Sequence, residues 1–176
     1  MDRRTAMIAM GLAMKAPSGA GLGPTELIAA WRLLSFEREK GGGQIDKPLG
    51  DKPVGRLIYD GEGRVSVQLM RAGRSLESAK DARTSWEAAE VATCGEVREM
   101  VAGYIAYFGT YDVDEATRTI SHYVLGSLIP GWVGTRRTRN YELAGDSLTM
   151  TLRRGDVVER YLWQRDAGRS ATSAKA

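Results

Sequence analysis

The stretch "VGRLIYDGEGRVSVQLMR", residues 54–71, decides how this chain is read. Two runs rich in β-branched, aliphatic and aromatic residues flank the turn "GEG", whose glycines supply the backbone freedom a tight reversal needs. Such a pattern is a β-hairpin. Downstream, the same alternation of short apolar runs and turn residues continues. It passes through "YFGTYDV", turn "DEAT", "RTISHYVLGS", the corner "LIPGWVG", "TRRTRNYEL", turn "AGD", "SLTMTLR", turn "RGD" and "VVERYLWQR". Alternation is cleanest in "SLTMTL", which puts Leu148, Met150 and Leu152 on one face and Ser147, Thr149 and Thr151 on the other.

Upstream of the hairpin, "KGGGQIDKPLGDKP" (40–53) reads as a polar loop and "WRLLSFERE" (31–39) as the first strand. Residues 74–107 change character. Val97, Met100, Val101, Tyr104 and Ile105 recur at helical spacing, a stripe that extends back to Cys94 and Glu90. One helix is therefore expected, started or stapled by Trp86, with Cys94 buried on its core face as a small apolar residue. The count is eight strands in antiparallel succession, joined mostly by short turns, with the helix between the third and fourth. Closure removes exposed edges, so the expected fold is all-β: an eight-stranded antiparallel up-and-down barrel with one inserted α-helix. A barrel of that size is filled by side chains or holds one small ligand.

The blocks "AAWRLLSFE" (29–37), "PLGDKPVGRLIYDGEGRVSVQLMR" (48–71), "GYIAYFGTYDVDE" (103–115) and "HYVLGSLIPGWVGTRRTRNYELAGDSLTM" (122–150) together resemble the bacterial and fungal lipocalin-like domain family. The resemblance spans roughly residues 25–165 and implies the barrel already deduced. Lipocalins proper open with Gly-x-Trp, the Trp closing the barrel base. Here the motif is Ala29-Ala30-Trp31, so the glycine is absent, although Trp31 is still expected to plug the base beneath an arginine of the last strand, Arg160 or Arg165. The resemblance implies carriers of apolar small molecules and enzymes that isomerise or cyclise an enclosed substrate, and fold alone does not choose between them.

Composition narrows the chemistry. With 176 residues the chain fits one domain, and its net charge of +3 is too small to argue for nucleic acid without a concentrated patch. "GTRRTRN" (134–140) and "LRRGD" (152–156) are the most basic stretches, but they lack interleaved aromatic platforms and read as charges on exposed strand positions. One cysteine and one histidine exclude a disulfide, a cysteine zinc cage and a multi-histidine metal centre. No metal and no cofactor are expected. "GxSxG" is missing, so a nucleophilic hydrolase is not supported. "GGG" (41–43) and "GAGLG" (19–23) do not open a helix after a strand, so neither reads as a phosphate cradle.

The sole histidine, His122, shares a strand face with Ile120, Val124 and Gly126. If that face points inward, neighbouring strands bring Tyr59, Gln68, Tyr111 or Arg139 towards it, with Trp132 at the barrel rim as a gate or a plug. Two functions follow. In the first, the barrel encloses a small apolar or aromatic molecule through Tyr59, Gln68, Tyr111, His122, Trp132 and Arg139. In the second, a cofactor-independent isomerase, cyclase or lyase acts on a carbonyl compound with His122 as general acid or base. A barrel filled solid is the third possibility.

Residues 24–166 are expected to form the barrel domain, with a leader or disordered segment at 1–23 and a disordered tail at 167–176. Arg3-Arg4 followed by the apolar run Ala6–Met14 resembles a twin-arginine export signal; export to the periplasm or retention in the cytoplasm depends on whether it acts as one. No run approaches the roughly 20 apolar residues that span a membrane. The oligomeric state is not readable from the sequence.

Overall fold

A computed structural model describes residues 23–75 and 77–167 of the chain. The expected leader up to residue 22 and the tail from residue 168 lie outside the described residues. Nine strands occur in chain order: β1 (Ala29–Lys40), β2 (Gln44–Asp46), β3 (Val54–Tyr59), β4 (Arg64–Met70), β5 (Tyr104–Asp114), β6 (Thr119–Ser127), β7 (Arg136–Ala144), β8 (Ser147–Arg154) and β9 (Val157–Arg165). Eight of them, β1 and β3 to β9, pair antiparallel with their neighbours, and β1 pairs with β9 to close an up-and-down barrel. The ninth, β2, lies within the stretch expected to be a polar loop. It folds back on the far half of β1, where Arg38 and Lys40 both pair with Asp46. Its exposed, polar sequence carries no alternation that would have revealed it.

The turns are where glycine placed them. Gly63, Gly145 and Gly155 end "GEG" or sit within "AGD" and "RGD", and all three take positive φ, the region other residues avoid. Between the turns, alternate residues face the core. Val65, Val67 and Leu69 on β4, and Leu148 and Met150 on β8, are each under 5 % exposed.

One end of the barrel is sealed. Trp31 and Leu27 are fully buried, and the indole Nε1 donates to the Leu27 carbonyl oxygen at 3.0 Å. The Arg165 guanidinium lies 4.6 Å from the centre of the Trp31 ring, so the covering arginine is Arg165 and not Arg160. Trp31→Phe removes the N–H donor and part of the packed volume. It is expected to cost about 2 kcal/mol in urea unfolding; a loss below about 0.5 kcal/mol would show that the indole does not hold this end closed.

The inserted segment departs from expectation. It holds two short helices, α1 (Ser85–Val91) and α2 (Cys94–Ala102), between the third and fourth strands of the barrel. Each starts on a threonine cap. Thr84 accepts from the Glu87 amide, and Thr93 with Glu96 forms a reciprocal capping box. Those caps are why the segment breaks at Ala92–Thr93 instead of running as one helix. Tyr104 and Ile105 belong to β5, so the apolar stripe crosses from helix to strand. Cys94, Val97 and Val101 are exposed, as is Trp86 at 79 %, which staples nothing to the core. No helix among the described residues is long and apolar enough to cross a membrane.

Candidate functional site

His122 faces inward and is 1 % exposed, with Ile120 and Val124 beside it on the same face of β6. Three neighbours surround its ring. Tyr59 on β3 lies with its hydroxyl 2.7 Å from Nε2, Tyr107 on β5 has its hydroxyl 2.8 Å from Nδ1, and the Nη1 of Arg139 on β7 is 3.3 Å from Nδ1. A guanidinium can only donate. Its approach therefore selects the tautomer with the lone pair on Nδ1 and the proton on Nε2, which donates to the Tyr59 oxygen. Burial, then the Arg139 and Arg137 charges, hold the imidazole pKa well below its ordinary value, so the ring is neutral.

Arg139, 8 % exposed, also donates through Nη2 to the Tyr107 hydroxyl at 3.0 Å and through Nη1 to the Arg137 carbonyl oxygen at 3.3 Å. Tyr59, His122, Tyr107 and Arg139 are thus one continuous hydrogen-bonded chain across four strands. Burial raises the Tyr59 pKa well above the usual phenol value, which keeps that hydroxyl protonated.

Tyr107, His122 and Arg139 of this chain form part of the wall of a cavity of about 360 Å³ inside the barrel, whereas Tyr59 lies behind His122 and does not line it. Apolar side chains, among them Leu57, Val67, Leu69, Met150 and Trp163, make up much of the remaining wall. Phe36 and Tyr161, stacked 4.5 Å apart and nearly parallel, add a flat aromatic surface. Val101 and Ala102 at the exposed end of α2 line it too, so the cavity reaches the surface there.

Of the residues singled out from sequence, His122, Tyr59 and Arg139 come together directly. Tyr111 lies one layer away. Its ring is 4.5 Å from that of Tyr59, and its hydroxyl donates to the Asp60 carbonyl oxygen, so it supports Tyr59 without lining the cavity. Burial pushes the Tyr111 pKa up to about 12. Trp132 lies in a short 3-10 turn, Pro130–Trp132, and lines the cavity with the Arg137 guanidinium 3.8 Å above its ring. Gln68 is a correction. Val65, Val67 and Leu69 occupy the inward parity of β4, so Gln68 faces outward and donates to the Ser66 hydroxyl.

Sequence reasoning missed Tyr107, Tyr161 and Arg137. Arg137 lies in the basic stretch "GTRRTRN", whose charges read as exposed strand positions, yet it turns inward on the same face as the candidate Arg139. The signal was available: Arg137, Arg139, Tyr141 and Leu143 share one parity of β7, and the last two are residues that belong in a core.

The model of the lipocalin-like domain matches residues 28–172 of the chain, the whole barrel. No curated protein sequence matches it.

Proposed function

The chain belongs to the lipocalin-like domain family, and from that premise we propose that its barrel binds one small, largely apolar or aromatic molecule. The observation that carries this reading is the 360 Å³ cavity, apolar over much of its wall, with His122, Tyr107, Arg137 and Arg139 among the polar groups that line it. That volume lies at the lower end of the roughly 300–1,000 Å³ usual for small-molecule sites. A sealed base at Trp31 and an opening beside α2 suit a ligand that enters and leaves by one end.

Trp132 and Trp163 line the cavity, so occupancy is readable as a change in tryptophan fluorescence. Titration with small aromatic compounds is expected to give saturable binding at one molecule per chain. Val67→Phe places a larger side chain into the cavity and should remove that binding while the barrel stays folded by circular dichroism. Binding that survives this replacement would place the ligand elsewhere on the protein.

A second reading, a cofactor-independent isomerase, cyclase or lyase acting on a carbonyl compound, draws support from one feature. The Tyr107 hydroxyl lines the same cavity and is held between a guanidinium and the imidazole. Both His122 nitrogens are already engaged by protein groups, so in this reading Tyr107 becomes the acid only by turning its proton from His122 Nδ1 to the substrate oxygen, while Arg139 keeps its hydrogen bonds to the phenol oxygen and to Nδ1. Tyr107→Phe separates the two readings: it abolishes turnover in the second and spares most of the binding in the first.

A further inference from the structure

Four arginines and a single glutamate line the cavity. The glutamate, Glu159, accepts a hydrogen bond from the Tyr161 hydroxyl at 2.8 Å, and Arg38 is paired with Asp46. Arg137 and Arg139 differ from Arg38. Among the described residues neither forms an ion pair with a carboxylate. Arg139 reaches only neutral acceptors, namely His122, Tyr107 and a backbone carbonyl. The Arg137 guanidinium lies 3.8 Å from the centre of the Trp132 ring, and its Nε–H is buried without any acceptor among the described residues. The Trp163 indole N–H, in the same cavity wall, is likewise buried and without an acceptor.

Two guanidinium groups at alternate positions of one strand repel each other and lose solvation on burial. Those two effects, burial first and Arg139 second, lower the Arg137 pKa. Uncompensated buried charge is costly, and buried donors nearly always find an acceptor. Two guanidinium groups without a carboxylate partner, in the wall of a cavity that is apolar over much of its surface, make a place that an anion would complete.

Resting on the reading of the barrel as a ligand-binding cavity, we propose that its ligand is a small carboxylate with an apolar or aromatic body, the carboxylate held by Arg137 and Arg139. Planar guanidinium groups match a carboxylate edge to edge, with two parallel N–H···O bonds per pair. Leu57, Val67, Leu69 and Met150 then face the body of the ligand, and the Phe36–Tyr161 stack offers it a flat surface. Glu159 in the same wall disfavours a second negative charge on the ligand, which selects monocarboxylates over dianions.

The test uses the full chain and two matched pairs of probes, 2-naphthoate with 2-naphthamide and decanoate with decan-1-ol, titrated by calorimetry. At least one acid is expected to bind about 10- to 100-fold more tightly than its neutral counterpart, as charge-assisted hydrogen bonds dictate. Arg137→Met should lower the acid's affinity about 10-fold or more and so erase most of its preference over the neutral counterpart. Because the Arg137 Nε bonds to nothing, the barrel should stay folded, which circular dichroism checks. Arg137→Lys keeps the charge without the fork and should restore only part of the preference. Equal affinity for acid and neutral counterpart overturns the carboxylate assignment while leaving the cavity reading standing. Binding of neither kind of probe overturns both. A preference for acids that survives both Arg137→Met and Arg139→Met puts the anion site elsewhere.

Discussion

Gly109→Ala is expected to abolish the folded barrel, the largest single-residue effect this structure predicts. Gly109 lies on β5 at a register shift, where Phe108 pairs with Gly126 but Gly109 pairs with Val124, leaving Leu125 as the extra residue on β6. A Cβ at position 109 would overlap the carbonyl oxygen of Tyr123. It would also stand 2.9 Å from that carbonyl carbon and 3.1 Å from the Leu125 nitrogen. All three are backbone atoms, so no side chain can swing aside to relieve the overlap. Relief requires β5 and β6 to separate where the barrel wall is continuous. Such a steric conflict costs at least about 4 kcal/mol, a large part of the roughly 5–15 kcal/mol that holds a domain folded. Circular dichroism and urea unfolding of the variant decide the matter. A soluble Gly109→Ala protein unfolding within a few degrees of the parent would mean the two strands are not locked together at this point. By contrast, a Cβ at Gly126 meets only the ring of Phe108, an exposed side chain that can move.

The same bulge bears on the site. Tyr111 pairs with His122 directly across β5 and β6, whereas Tyr107, four residues earlier on β5, pairs with Ser127. The side chain of Tyr107 must lean along the strand to meet Nδ1 at 2.8 Å. The shift at Gly109 changes the local twist between those two levels. Tyr107 and Tyr111 therefore both face inward from the same strand, yet only the first lines the cavity.

These particulars explain what could be read in the sequence. The barrel was legible because its turns carry glycine at positions of positive φ and its strands are short enough to need neighbours. His122, Tyr59 and Arg139 were legible as a group because strand parity carries side-chain direction, and the hairpin order makes those strands near neighbours. The rest failed for separate reasons. The polarity of Gln68 marks it as a site candidate, although Val65, Val67 and Leu69 claim the inward face of β4. Tyr107 has the parity of Tyr111 on the same strand, but Tyr104, Ala106 and Phe108 make the opposite face apolar there too, so alternation alone does not single it out. Arg137 was assigned to solvent because arginine is seldom buried. Cys94, Val97 and Val101 gave a helical stripe that packs on little. Apolar spacing reports an amphipathic face but not whether anything covers it.

The neutral His122 ring should make folding stability fall as the pH drops from 7 to 5. The sign follows from proton counting. In the unfolded chain the imidazole has its ordinary pKa of about 6.5 and takes up a proton below that pH. In the barrel its pKa lies well lower, because burial and the two arginines oppose the charge. The unfolded state thus binds more protons through this window, and stability is gained as pH rises and lost as it falls. The slope approaches about 1.4 kcal/mol per pH unit, a loss of about 2 kcal/mol between pH 7 and 5, with no His122 contribution to a change above pH 7.5. His122 is the only histidine in the chain. The depressed carboxylates Asp46 and Glu96, each with a pKa of about 2, lose their contribution only as pH falls from about 4 towards 2. The two windows are therefore separate. Urea unfolding at half-unit steps of pH measures the slope, and His122→Gln supplies the control: its stability is lower throughout but flat from pH 7 to 5. A flat profile for the parent chain would mean that the imidazole accepts its proton inside the barrel. A protonated ring has no lone pair for Arg139 or Tyr107 to donate to, and the chain of bonds from Tyr59 to Arg139 that shapes one wall of the cavity would have to be redrawn.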